Sequence, residues 1–217
     1  MKNKRIYHLY SIRIVILLMV LTTLSSCLTV TSEIVDWTTI QNTLDYPGNY
    51  YFLEDNGVNV YFPNEFEKFS STEYLRIIDS LGTKEEYNRE QIRIESLQDL
   101  EGTIHLFFDE KTRALGMVNT MPYTPFNRKD AKIMLSSQIR NTADVNQYNV
   151  DKQTAKYSKA GNYDIFKAIY RLQDPKTSEL FWYNAVYVVS ANKKTVMINI
   201  NTSFMVDFDP FILKTKM

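Results

Sequence analysis

The chain has 217 residues, with 25 Lys and Arg balanced by 25 Asp and Glu, 15 Tyr and 12 Phe. Zero formal charge leaves no basic excess to neutralise phosphates, so nucleic acid is not an expected partner, and a single cysteine excludes an internal disulfide. Burial and hydrogen bonding must therefore hold one aromatic-rich core, since six Gly and six Pro are too few for low-complexity linkers.

The first 27 residues carry a basic start (Lys2, Lys4, Arg5, Arg13), an apolar run from Ile14 to Leu21, then small polar residues. A bilayer-spanning helix needs roughly 20 apolar residues at about 1.5 Å each, and this run breaks at Thr22 and Thr23. Leu24-Ser25-Ser26-Cys27 closes the segment and resembles the lipobox of bacterial lipoproteins. The resemblance implies cleavage before Cys27 and a diacylglyceryl group on its thiol, which makes Cys27 a lipid anchor and not a redox or catalytic thiol. More than one acyl chain gives stable attachment, because each buried methylene contributes only about 0.8 kcal/mol. Leu28 in place of Asp after the cysteine implies the outer membrane, and only Glu33 and Asp36 lie nearby where surface display would place an acidic cluster. The expected location is the cell envelope, facing the periplasm. The chain divides into a signal peptide (1–26), a lipidated N-terminus and tether (27–48) and one globular domain (49–217); removing 26 of the 217 residues leaves 191.

Ile34, Trp37, Ile40 and Leu44 fall at helical spacing before Tyr46-Pro47-Gly48, so the tether is expected to run into a weak helix. Tyr50 to Leu53 and Val58 to Phe62 flank Asp55-Asn56-Gly57 and read as a hairpin with a tight Asn-Gly turn, ended by Pro63. Ser70 with Glu73 forms a capping-box pattern for a helix that places Tyr74, Leu75, Ile78 and Leu81 on one side and stops at Gly82. Residues 84–101 fit a strand at Gln91 to Glu95 or a helix lined by Ile94, Leu97 and Leu100, and the helix is favoured. Ile104 to Phe108 and Ala114 to Asn119 read as a second hairpin, followed by a loop at Pro122 to Pro125. Asn127 with Asp130 opens another helix carrying Ala131, Met134, Leu135 and Ile139, ending near Asn141.

The last third alternates: Tyr163 to Leu172 and Leu180 to Val189 are apolar on both phases, and Thr195 to Ile200 follows the Asn192-Lys193-Lys194 turn. Strands apolar on both faces need cover on both faces, so a three-stranded antiparallel meander is expected at the sheet centre. The fold class is α+β, an antiparallel sheet with helices packed against it. The order of elements, with Val58-Asn59-Val60-Tyr61-Phe62-Pro63, Tyr183 to Val189 and Lys194 to Ile200, resembles the PsbP proteins and DcrB-type lipoproteins. That resemblance implies binding and assembly roles with no shared catalytic site; no helix is read after Ser203, where a final one would be expected.

Catalytic residues and metal ligands are not indicated, and neither is a cofactor. His8 lies in the leader, leaving His105, which reads as a structural histidine on a sheet face. Glu85-Glu86, Asp109-Glu110 and Asp207 with Asp209 read as solvated turn acids. The loop Met121 to Phe126 offers Tyr123 and Phe126 as the candidate binding residues on a proline-stiffened chain; the plainer reading packs both inward. Asp79-Ser80-Leu81 is similar to the short O-glycosylation motif of Bacteroidota. These readings converge on a membrane-anchored, non-catalytic binding or assembly module with an envelope protein as partner, the alternative being a small envelope enzyme using carboxylate or Tyr and Asn side chains.

Overall fold

The computed structural model describes residues 46–98, 101–131, 133–134, 148–175 and 181–217. The leader with Cys27, the tether helix at Ile34 to Leu44, and the helix beyond Met134, with Leu135 and Ile139, lie outside the described residues. No helix among the described residues is long and apolar enough to cross a membrane.

Strands β1 (Gly48–Leu53) and β2 (Val58–Pro63) form the first hairpin, in register from Gly48↔Pro63 to Leu53↔Val58. The turn is longer than the Asn-Gly pair alone suggests. Four residues separate the strands, Gly57 N–H donates to Leu53 O at 2.8 Å, and Gly57 alone takes the left-handed conformation (φ 67°). Asn56 instead accepts the Val58 N–H on its side-chain oxygen at 3.2 Å, the local bonding that makes Asn a turn residue.

A short strand β3 (Glu67–Phe69) leads into α1 (Ser71–Leu81). Both arms of its capping box form, Glu73 N–H to Ser70 Oγ at 3.2 Å and Ser70 N–H to Glu73 Oε2 at 2.8 Å. Tyr74 and Ile78 are buried, but Leu81 is 49% exposed, because the helix ends one turn past the sheet contact. The ambiguous segment after Gly82 is a helix, α2 (Lys84–Gln98). Its start is set by a second capping box, Thr83 with Glu86 (Thr83 N–H to Oε2 2.8 Å, Glu86 N–H to Oγ1 3.2 Å), which satisfies donors that a strand would not leave over.

The remaining strands are β4 (Thr103–Asp109), β5 (Ala114–Met121), β6 (Asn149–Ala160), β7 (Tyr163–Gln173), β8 (Phe181–Ala191) and β9 (Lys194–Thr202), and a one-turn helix α3 (Asp209–Ile212) follows. With β3 they build one seven-stranded antiparallel sheet in the order β3-β4-β5-β9-β8-β7-β6. The expected meander is present as β7-β8-β9, with β9 at the centre. Strand β6 was not legible and adds an edge beyond β7, so β7 is second from the rim. Its register slips between Lys152 and Thr154, a bulge of the kind that discourages pairing with another chain.

Both faces of the sheet are covered, as apolar strands on both phases require. On one face Tyr74, Ile78 and Ile94 of the helices pack on Leu106, Phe108, Leu115 and Met117. On the same face, farther along, Phe126 and Ala131 pack on Phe166, Ala168, Tyr170, Val186 and Val188. The opposite face carries the hairpin: Phe62 lies flat on Phe107, centroids 4.4 Å apart, and Tyr51 meets Phe107 edge-on at 5.0 Å. The C-terminal segment completes that layer, with Phe208 against Phe66 at 6.1 Å. A short helix after Ser203 therefore does exist; four residues long, with Pro210 in its first turn, it has too little periodicity to be read.

Candidate functional site

Three of the ionisable residues singled out in the sequence, His105, Asp207 and Asp209, are engaged in two separate ties between layers. Asp55, in the hairpin turn, reaches down to the sheet: one oxygen lies 2.9 Å from His105 Nε2 and the other accepts from the Thr120 hydroxyl. Thr120 Oγ1 also accepts the Thr103 N–H at 3.2 Å and lies 3.1 Å from the Thr103 carbonyl, an alternative acceptor for its single proton. Partial burial pushes the Asp55 carboxyl up, yet the bonds from Thr120 and His105 outweigh it and hold the group below the usual carboxylate range. A hydrolytic triad needs the imidazole between hydroxyl and carboxylate. Here the carboxylate is in the middle, so the Thr120 proton is directed to Asp55 or Thr103 and not to His105.

A second tie fixes the C-terminal segment. Lys167 is buried on β7, with Nζ 2.5 Å from Asp209 Oδ1 and 3.2 Å from Asp207 Oδ1. Tyr187 donates to Asp209 at 2.9 Å, and Asp209 N–H donates to Asp207 at 3.1 Å. Burial and the adjacent Asp209 carboxylate hold the Tyr187 hydroxyl far above its ordinary value. Burial raises the Asp207 carboxyl, but the Asp209 backbone N–H and the Lys167 ammonium pull it below the carboxylate range. Asp207 is solvated as expected, its side chain 62% exposed, but Asp209 is buried and neutralises a buried lysine.

The remaining acids separate. Glu65, Glu67, Asp109 and Glu110 line an open cleft of about 360 Å³ at the β3 edge, where Asp109 is occupied by the Lys111 N–H and the Thr112 hydroxyl. Among the described residues, no group of three His, Cys, Asp or Glu side chains is placed to hold a metal ion. Asp79, Ser80 and Leu81 are exposed on the last turn of α1, with Ser80 Oγ donating to Ile77 O at 2.8 Å. A polar cluster not anticipated lies on the helix-covered sheet face: Asn184 Nδ2 donates to Asn199 Oδ1 at 2.6 Å and Asn201 Oδ1 at 2.7 Å. Its signal was present as asparagines interrupting apolar alternation at period two.

The two candidate binding residues part company. Phe126 is buried in the core, edge-on to Tyr157 at 6.0 Å, while Tyr123 remains 50% exposed. The loop between them is pinned to the start of β9: Thr124 N–H donates to Thr195 Oγ1 at 2.9 Å and Thr195 Oγ1 to Thr124 O at 3.3 Å. Two prolines and this double tie fix the backbone that presents Tyr123 outward.

The hairpin presents a second exposed aromatic surface. Tyr50 and Phe52 point away from the sheet, 45% and 56% exposed. Tyr50 packs on Tyr61 at 4.7 Å, and the ammonium groups of Lys214 and Lys216 sit 4.5 Å over Tyr61 and 4.1 Å over Tyr50.

This architecture is that of an α+β protein, an antiparallel sheet with helices on one face and a hairpin with a C-terminal strap on the other. No family model matches the chain, and no curated protein matches it. Among solved structures it is similar to the cyanobacterial PsbP protein of Synechocystis, at 12% identity over 74% of this chain and 83% of that one, with a TM-score of 0.49. It is also similar to the Ran-binding protein Mog1p of Saccharomyces cerevisiae, at 10% identity over 74% and 79% of the two chains, with a TM-score of 0.46.

Proposed function

We propose that this chain is a lipid-anchored, non-catalytic binding or assembly module of the bacterial envelope, held at the outer membrane through Cys27 and facing the periplasm. The observation that carries the binding role is the fixed presentation of Tyr123 on a loop tied to Thr195. Tyrosine supplies rigid amphipathic contact area, and loops on a stable sheet are where recognition residues concentrate. The tying of His105, Asp55, Lys167 and Asp209 between layers supports the same reading, since each secures packing. The leader ending in Leu24-Ser25-Ser26-Cys27 supports the anchor.

The test is photo-crosslinking in intact cells from a reactive amino acid at position 123 of the full-length chain. A discrete adduct with one envelope protein is expected, and Tyr123→Ala should reduce recovery of that protein without changing abundance. A chain that stays solitary under all conditions rejects the binding role. Loss of fatty-acid labelling in Cys27→Ser checks the anchor.

A further inference from the structure

We propose that the outer face of the β1-β2 hairpin lies in the headgroup layer of an anionic phospholipid bilayer, the membrane to which the chain is tethered. This inference rests on the anchoring proposed above and adds an orientation to it.

Side chains alternate between the two faces of a strand. Tyr51 and Leu53 face the sheet, so Tyr50 and Phe52 occupy the opposite phase. A hairpin that covers a core on one side and meets water on the other places polar residues on its outer phase. Here that phase carries the exposed rings of Tyr50 and Phe52 on a buried Tyr61, with Tyr46, 38% exposed, beside them. The rim is cationic: Lys216 pairs with Asn59 through two backbone bonds of 2.9 Å, which sets its ammonium over Tyr50, and Lys214 covers Tyr61. The acids of the turn are Glu54 and Asp55, and Asp55 is drawn beneath the hairpin by His105 and Thr120. Tyrosine rings with polar tips, a phenylalanine, and lysines on long apolar stems match the boundary between acyl chains and headgroups, where each part finds its preferred medium.

The tether selects the membrane as occupant. Nineteen positions separate Cys27 from Tyr46, and Tyr46 belongs to the patch: its carbonyl accepts from the Tyr61 hydroxyl at 3.0 Å and its ring meets Phe211 at 5.7 Å. A chain anchored at Cys27 therefore enters the fold through this face. A short tether raises the effective concentration of whatever surface lies nearest its attachment, and the lysine rim favours anionic headgroups over neutral ones.

The test uses the full chain as produced in bacteria, reconstituted in phosphatidylcholine vesicles with and without phosphatidylglycerol. Phe52→Cys and Ile92→Cys each receive an environment-sensitive NBD label; Ile92 is exposed on α2, the helix packed on the other side of the sheet. Severalfold brightening with a blue shift is expected at position 52 in phosphatidylglycerol vesicles, quenched by lipid-borne nitroxide, with no change at position 92. Joint Lys214→Glu and Lys216→Glu substitution should abolish most of that response while the protein stays vesicle-bound. Equal aqueous signals at both positions in vesicle-bound protein overturn the orientation and leave the anchor intact. A response at position 52 that appears without vesicles and grows with protein concentration overturns it in favour of a second copy. Labelling of the unsubstituted chain is the control for anchoring: uptake of label by Cys27 means a free thiol and rejects the anchor. In that case a silent position 52 on phosphatidylglycerol vesicles rejects the orientation as well.

Discussion

Phe62 and Phe107 stack with ring centroids 4.4 Å apart and planes 11° from parallel, and this contact couples the hairpin to the sheet. Both rings are almost completely buried. Phe62→Ala is expected to destabilise the fold by about 3–5 kcal/mol through lost transfer energy and the cavity left behind. Urea unfolding should show a lower midpoint at an unchanged slope.

Gly116 lies under the same ring. A Cβ built on it would stand 2.6 Å from Phe62 Cε1 and 3.5 Å from Phe107 Cβ, so Gly116→Ala should overpack the contact at a cost of about 1–3 kcal/mol. In a Phe62→Ala background the added methyl has room. The double-mutant cycle should therefore show a coupling that relieves most of the penalty.

Lys167 and Asp209 are buried together, and removing the lysine strips Asp209 of the counter-charge 2.5 Å away. Lys167→Met is expected to cost about 3–5 kcal/mol, whereas Lys167→Met combined with Asp209→Leu should be milder than the single change. Equilibrium denaturation of the three variants measures this. A double variant as unstable as the single would show that the tie contributes more than charge balance.

Asp55 makes stability depend on pH in a defined direction. Its carboxyl titrates lower in the folded chain than in the unfolded one. Its contribution is complete above the unfolded value and is lost as pH falls through the folded value. The thermal midpoint should drop as pH is lowered from neutral to about 3. Asp55→Asn should flatten part of that drop; Asp207, shifted the same way, accounts for a further part.

Local chemistry was legible in the sequence wherever neighbours set it. Ser70 and Glu73 close a capping box across three residues, and β7, β8 and β9 announce themselves by apolar alternation. Strand β6 did not, because Lys152, Gln153, Lys156 and Lys159 dilute its pattern, as suits an edge exposed to water. The ties were harder to read. Asp55 meets His105 across 50 positions and Lys167 meets Asp209 across 42, and nothing local in either segment names its partner. Phe126 and Tyr123 looked alike as loop aromatics; only the sheet beneath them decides that one is core and the other surface.

The bridge between Asn59 and Lys216 joins the second strand of the fold to a segment 157 positions further along the chain. A polypeptide emerging amino end first from a ribosome has no means of sealing that layer until Lys216 arrives. A chain interrupted before Asp207 would lack both the counter-ions of Lys167 and the strap across its opening hairpin.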